Sequence, residues 1–125
     1  MQKIDGTTIK VNRGDEVSLS LGITQDDGTA YEFAGTDEVV FSIYNKGKMS
    51  EPAVLIKEIT ATAGTTSVTI PLTSTETKIG DLINKPVEYW YEIELNGRYT
   101  IIGYDDKGAK LFMLYPEGSQ LDDNS

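Results

Sequence analysis

Val87-Glu88-Tyr89-Trp90-Tyr91-Glu92-Ile93-Glu94-Leu95, followed by Asn96-Gly97 and Arg98-Tyr99-Thr100-Ile101-Ile102, decides the fold. Val87, Tyr89, Tyr91, Ile93 and Leu95 alternate with Glu88, Trp90, Glu92 and Glu94. A period of two sends the two sets to opposite faces of a strand. Asn-Gly accepts positive φ at both central positions of a type I′ turn, so the chain is expected to fold straight back as a hairpin. Both faces carry aromatics, so the pattern leaves open whether Trp90 or the two tyrosines face the core.

The same alternation recurs outward from this hairpin. Val17, Leu19, Leu21 and Ile23 alternate with Ser18, Ser20 and Gly22, and Val39, Phe41 and Ile43 alternate with Val40, Ser42 and Tyr44. Each reads as a half-buried strand. Residues 4–11 read as a leading strand or arm, 53–62 as a strand of mixed pattern, and 111–115 as the last strand. Val68, Ile70 and Leu72 make a short strand. Pro71 has no N–H for a ladder, so that strand is expected at an edge or to end there. Tyr31 and Phe33 follow a turn-rich loop and are expected to dock across the end of the core. Thr73-Ser74-Thr75-Glu76 has capping-box spacing, which predicts a short helical turn over Ser74–Leu82 with Ile79 and Leu82 facing inward. The expectation is an all-β, immunoglobulin-like antiparallel sandwich of seven or eight strands. It comprises one domain over residues 1–117 and a flexible acidic tail over 118–125.

Composition narrows the function classes. The chain has 125 residues, with 20 acidic and 11 basic side chains and a net charge of −9. No Lys/Arg cluster is present to neutralise phosphates, which argues against nucleic acid as a partner. Cysteine is absent, so a disulfide framework is excluded. No apolar run approaches the roughly 20 residues of a membrane span, and Met1–Gly6 lacks a signal-peptide apolar region. An unexported product without a membrane anchor is the expectation.

Histidine is also absent. That removes the usual general base, the Ser-His and Cys-His pairs and the commonest metal ligand. Neither G-x-G-x-x-G nor a P-loop pattern occurs. Glu88, Glu92 and Glu94 share a strand face, and residues two apart lie roughly 6.5–7 Å from one another, a separation that inverting glycosidases use. Alternating glutamates serve more often to solvate a sheet face. Asp26-Asp27-Gly28 and Asp105-Asp106 are acidic loop pairs without calcium-loop spacing. The expectation is therefore no enzyme, no catalytic residue, no cofactor and no metal site. The candidate interaction face is Trp90 with Glu88, Glu92, Tyr44 and Tyr99, able to dock protein or, in a rival reading, to stack on sugar rings.

Four stretches carry a family resemblance. Asn12–Leu21 resembles an opening Gly-Asp followed by an alternating strand. Asp27–Gly35 resembles a D-G-x-P-x-x-L-x-G segment, with Ala30 for the Pro and Phe33 for the Leu. Asp37–Tyr44 resembles the strand that follows, and Tyr89–Leu95 resembles a Y-x-Y-x-I-x-L strand running into a closing hairpin. Together they resemble the immunoglobulin-like N-terminal module of phage baseplate upper proteins, and related small tail and fibre proteins of phages and prophages of Gram-positive hosts. The resemblance spans roughly residues 10–117. It implies a virion structural protein (tail, baseplate, fibre-associated or head-decoration) that is assembled in the host cytoplasm. Its partners would be other virion proteins and its own copies, with neither nucleic acid nor membrane involved.

Overall fold

The computed structural model describes residues 2–5, 8–25 and 27–117, the first segment by its backbone. The acidic tail expected over 118–125 and Asp26 of the first acidic loop lie outside the described residues. Nine strands follow in chain order: β1 (Gln2–Asp5), β2 (Thr8–Asn12), β3 (Val17–Leu21), β4 (Glu38–Asn45), β5 (Leu55–Thr60), β6 (Val68–Leu72), β7 (Val87–Leu95), β8 (Tyr99–Ile102) and β9 (Lys110–Tyr115). Among the described residues there is no helix, and none long and apolar enough to cross a membrane.

The large sheet runs β1-β2-β9-β7-β4-β5, with β8 also paired to β7, and the small sheet is β3-β6. Strands β3 and β6 face β4, β7 and β9 across the core, and β5 extends the larger sheet. The all-β sandwich is thus as expected, with three differences. The leading arm is two strands, β1 and β2, paired antiparallel from Gln2↔Val11 to Asp5↔Thr8. The β2–β9 pair is parallel, Ile9↔Phe112 to Asn12↔Tyr115, so the large sheet is mixed. Parallel pairing is possible here because the whole chain separates the two strands and supplies the crossover.

The third difference is the extent of the helical turn expected over Ser74–Leu82. The capping box does form: Thr73 N–H donates to Glu76 Oε1 at 2.9 Å, and Glu76 N–H donates to Thr73 Oγ1 at 3.1 Å. One turn follows, with Thr77 N–H donating to the Thr73 carbonyl at 3.1 Å. It stops there because the next carbonyls turn aside. Arg13 Nη2 donates to the Gly80 carbonyl at 2.6 Å, and its Nε to that of Ile79 at 3.5 Å. Ile79 is buried as expected, whereas Leu82 is 68% exposed, because the chain beyond Gly80 no longer follows a helical period.

The core lies between the sheets. Val17, Leu19, Leu21, Val68, Ile70 and Leu72 from the small sheet meet Val39, Phe41, Ile43, Tyr89, Tyr91, Ile93, Leu95, Phe112 and Leu114 from the large one. Phe41 packs its ring against Tyr91 and Phe112, with centroids 5.6 and 6.3 Å apart. Phe33 closes one end, with Tyr31 edge-on at 5.2 Å, as its place after the turn-rich loop predicts. Among the described residues strand β6 pairs only with β3, and Pro71 lies opposite Ser18 at this edge.

Polar clamps hold the ends. Buried Asp37 accepts hydrogen bonds from Tyr31 Oη at 2.5 Å, Ala34 N–H at 2.9 Å and Asn96 Nδ2 at 2.9 Å. These donors, Asn96 foremost, hold its carboxyl below the usual range. At the opposite end Arg13 bridges the 79–80 carbonyls to Glu117, with Nη1–Oε1 at 2.5 Å. Along the open side, Lys57 crosses to Glu76 at 2.9 Å.

Candidate functional site

The inner face of β7 is settled by its neighbours. Tyr91 lies opposite Ile43 on β4, and Tyr89 opposite Phe112 on β9. Apolar side chains continue across this face strand by strand, so Tyr89 and Tyr91 are buried and Trp90 stands on the outer face. Burial pushes the Tyr91 hydroxyl pKa up to about 12 and raises that of Tyr89 in the same direction.

On the outer face Trp90 lies between Tyr44 of β4 and Leu111 of β9, its register partners. Glu88 and Glu92 flank it along β7. Trp90 Nε1 donates to Glu88 Oε2 at 3.1 Å, which sets the tilt of the indole. Tyr44 Oη donates to Glu92 Oε1 at 3.1 Å. The Tyr44 hydroxyl has a raised pKa, from its own burial first and the Glu92 charge second. The structure therefore brings together Trp90, Glu88, Glu92 and Tyr44, four of the five residues expected on this face.

Tyr99 is the exception. A two-residue hairpin loop would set it opposite Glu94, on the outer face. The turn itself forms as expected: Asn96 and Gly97 take φ of 57° and 66°, and Arg98 N–H donates to the Leu95 carbonyl at 3.0 Å. Ladder pairing nevertheless resumes at Leu95↔Tyr99 and shifts again between Ile93 and Glu94. A one-residue slip moves a side chain to the other face of its sheet. Tyr99 is thus aligned with a core position at the open end of the hairpin, away from Trp90.

Tyr104 takes the place expected of Tyr99. Strands β8 and β9 lie end to end along the same edge of β7, β8 against Ile93–Leu95 and β9 against Val87–Tyr91. Residues 103–109 leave the sheet between them. This excursion carries Tyr104 to Trp90, with ring centroids 6.1 Å apart and planes at 59°. Tyr104 is 64% exposed. The loop is pinned by Asp105, whose Oδ1 accepts from Lys107 N–H at 2.8 Å and pairs with Lys110 Nζ at 2.7 Å. Those contacts, Lys110 first, lower the Asp105 pKa. Gly103 makes the close path possible, since a Cβ there would lie 2.6 Å from the Thr100 methyl. The sequence signal for Tyr104 was the break in alternation after Ile102, which marks where the strand leaves β7.

The acidic loop pairs are engaged locally. Asp27 Oδ1 accepts from Thr29 Oγ1 at 2.6 Å and from Thr29 N–H at 3.0 Å, and Asp105 holds its own turn. Among the described residues no three of His, Cys, Asp and Glu gather where they could hold a metal ion. Two clefts lie beside this face, and Trp90 lines neither of them. One of about 340 Å³ is lined by Leu82, Ile83, Asn84, Lys85 and Val87. Another, of about 360 Å³, runs behind the Tyr104 loop along Thr100–Asp105 and Lys110. Trp90, Tyr104, Tyr44, Glu88 and Glu92 form a surface patch on the broad sheet. Such a patch suits a rigid partner better than an engulfed small molecule. No protein-family model matches this chain, and no curated protein matches it in sequence.

Proposed function

We propose that this chain is a non-enzymatic structural component of a phage or prophage particle and docks other virion proteins through the outer face of its large sheet. The observation that carries the docking is the aromatic patch of Trp90, Tyr104 and Tyr44. Trp90 and Tyr44 sit on adjacent strands and Tyr104 on the loop beside them, flanked by carboxylates and partly open to solvent. Aromatic anchors inside a polar rim are the usual energetic centre of a protein interface. The four stretches resembling baseplate modules support the phage assignment, and repeated copies in a particle would multiply a weak contact. The test is mass spectrometry of particles purified after prophage induction in the source strain. The chain should appear at a fixed copy number per particle, and Trp90→Ala should lower that number. Complete particles without the chain would overturn the proposal.

A carbohydrate-binding role is the second reading. It is favoured by the exposed Tyr104 ring beside Trp90, with Glu88 and Glu92 as acceptors for sugar hydroxyls. Trp90 is the single tryptophan of the chain, so its fluorescence reports this patch alone. A saturable shift with an oligosaccharide, together with particles lacking the chain, would favour this reading over the first.

A further inference from the structure

We infer that the patch around Trp90 is a guanidinium site, into which a docking partner places an arginine side chain. This rests on the reading of the outer face as a docking surface and names the chemistry of what docks.

Trp90 and Tyr104 pack as a tilted pair, planes at 59°, and Tyr104 is mostly exposed, so aromatic surface stays open to solvent on this face. Ring faces attract cations, and indole does so most strongly. Tyr44, the register partner of Trp90 on β4, shares this outer face. The flanking carboxylates complete the site. Glu88 and Glu92 each stand two residues from Trp90 on the same strand face, so each Cα lies roughly 6.6 Å from that of Trp90.

These carboxylates retain acceptor capacity. Glu88 accepts from Trp90 Nε1, and Lys46 Nζ lies 3.8 Å away with its side chain 64% exposed. A pair that long and that solvated is easily exchanged for a better one. Glu92 accepts a hydrogen bond from the neutral Tyr44 hydroxyl. Among the described residues no Lys or Arg forms an ion pair with Glu92 or with Glu94, its neighbour on the face. A carboxylate offers about four lone-pair positions, so each glutamate can take a further donor. The face therefore combines aromatic surface with two carboxylates, Glu92 and Glu94, that no Lys or Arg among the described residues pairs with, in a protein of net charge −9. A neutral sugar would answer the rings and leave the charge unmatched.

Arginine fits better than lysine. Its planar guanidinium stacks on an aromatic face while its N–H edges donate sideways to carboxylates, and it sheds water more easily than an ammonium. Glu88 and Glu92 lie to the sides of the indole, where those edges would point.

The test titrates three blocked tripeptides, Gly-Arg-Gly, Gly-Lys-Gly and Gly-citrulline-Gly, against the intact chain at constant ionic strength, reading Trp90 fluorescence. Citrulline keeps the shape of arginine without its charge. The arginine peptide should give a saturable change, with the lysine peptide weaker and the citrulline peptide at least roughly tenfold weaker, the loss expected when a partly desolvated cation–π contact is removed. Tyr104→Ala and Glu92→Gln, both on the outer face, should each weaken the arginine peptide severalfold while leaving the far-ultraviolet circular dichroism unchanged. Equal binding of citrulline and arginine overturns the inference, as does a saturable response to tetramethylammonium that matches arginine. No response to arginine also overturns it. If Trp90→Ala still removes the chain from particles in that case, docking stands and only its cationic chemistry falls. If the arginine peptide binds but particles form without the chain, the site stands and the virion role falls.

Discussion

Trp90 and Tyr91 are consecutive residues with opposite tasks. Tyr91 is 1% exposed, packed beside Phe41 and aligned with Ile43. Trp90 lies between Tyr44 and Leu111 on the far side of the same sheet, with a glutamate on either side along its strand. Both are large aromatics, so hydrophobicity alone does not separate them. Their neighbours do. On the inner face every adjacent strand continues the apolar set, and removing that surface from water is the main term that holds the sandwich together. On the outer face the apolar set is broken by Glu88, Glu92 and Glu94. Among the described residues no second layer covers it. The inner face of β7 answers to the fold, and the outer face is free to answer to a partner.

Truncating Tyr91 should break this contrast most. Tyr91→Ala removes a fully buried ring that contacts Phe41, and large-to-small changes of this kind cost about 3–5 kcal/mol. Urea unfolding followed by circular dichroism would measure it, and a loss under ~1 kcal/mol would contradict the packing described. Tyr91→Phe is the gentler probe. The Tyr91 hydroxyl pKa is raised from 10.0 to about 12, so the unfolded chain ionises first as pH rises. The stability this group contributes is complete below pH 10.0 and lost as the pH climbs toward about 12. Tyr91→Phe should therefore move alkaline unfolding to higher pH.

An intermediate effect is expected at the end of the sandwich, where both faces depend on the Asn96 turn. Asp37 has a folded-state pKa below its ordinary 3.8, chiefly through Asn96 and then Tyr31. Its contribution is complete above pH 3.8 and lost as pH falls through the lower folded value. Asp37→Asn should lower the melting temperature at neutral pH and flatten the acid side of the stability profile. The flattening would be partial, since Glu76 and Asp105 are shifted in the same direction. A profile identical to the unmutated chain below pH 3.8 would show that this carboxylate is not stabilised as its hydrogen bonds indicate.

The sandwich was legible because alternation is local. Val17–Leu21, Val39–Ile43 and Val87–Leu95 each state their buried face in their own residues. The pairing of β2 with β9 was not legible, since parallel partners at the two ends of a chain leave no local mark. The helical turn predicted over Ser74–Leu82 stops after one turn for a related reason. Its capping box formed as the sequence requires, but Arg13, more than sixty residues earlier, takes the carbonyls of Ile79 and Gly80. At the candidate site, Glu88, Trp90, Glu92 and Tyr44 could be placed together because β7 and β4 keep perfect register from Val39↔Leu95 to Asn45↔Tyr89. Tyr99 and Tyr104 exchanged places because the other edge of β7 does not keep register. A bulge and the excursion of residues 103–109 intervene there, and side-chain parity cannot be carried across either.

The smallest stability effect belongs to the outer face, and it sharpens the comparison. Trp90→Ala removes a half-buried ring whose contacts are Tyr104, the Glu88 carboxylate and the Leu111 side of β9. With part of that ring already in water, the loss should be about 1 kcal/mol. That is several times smaller than at Tyr91, although the side chain removed is larger. Tyr104→Ala should cost less still, because its ring is mostly exposed and its loop is held by Asp105 and Lys110 rather than by the ring. Thermal melts of the three alanine variants under one set of conditions would order them Tyr91, Trp90, Tyr104. If Trp90→Ala proved as costly as Tyr91→Ala, the outer aromatic cluster would be part of the folding core, and its exposure could no longer be taken as surface kept for a partner.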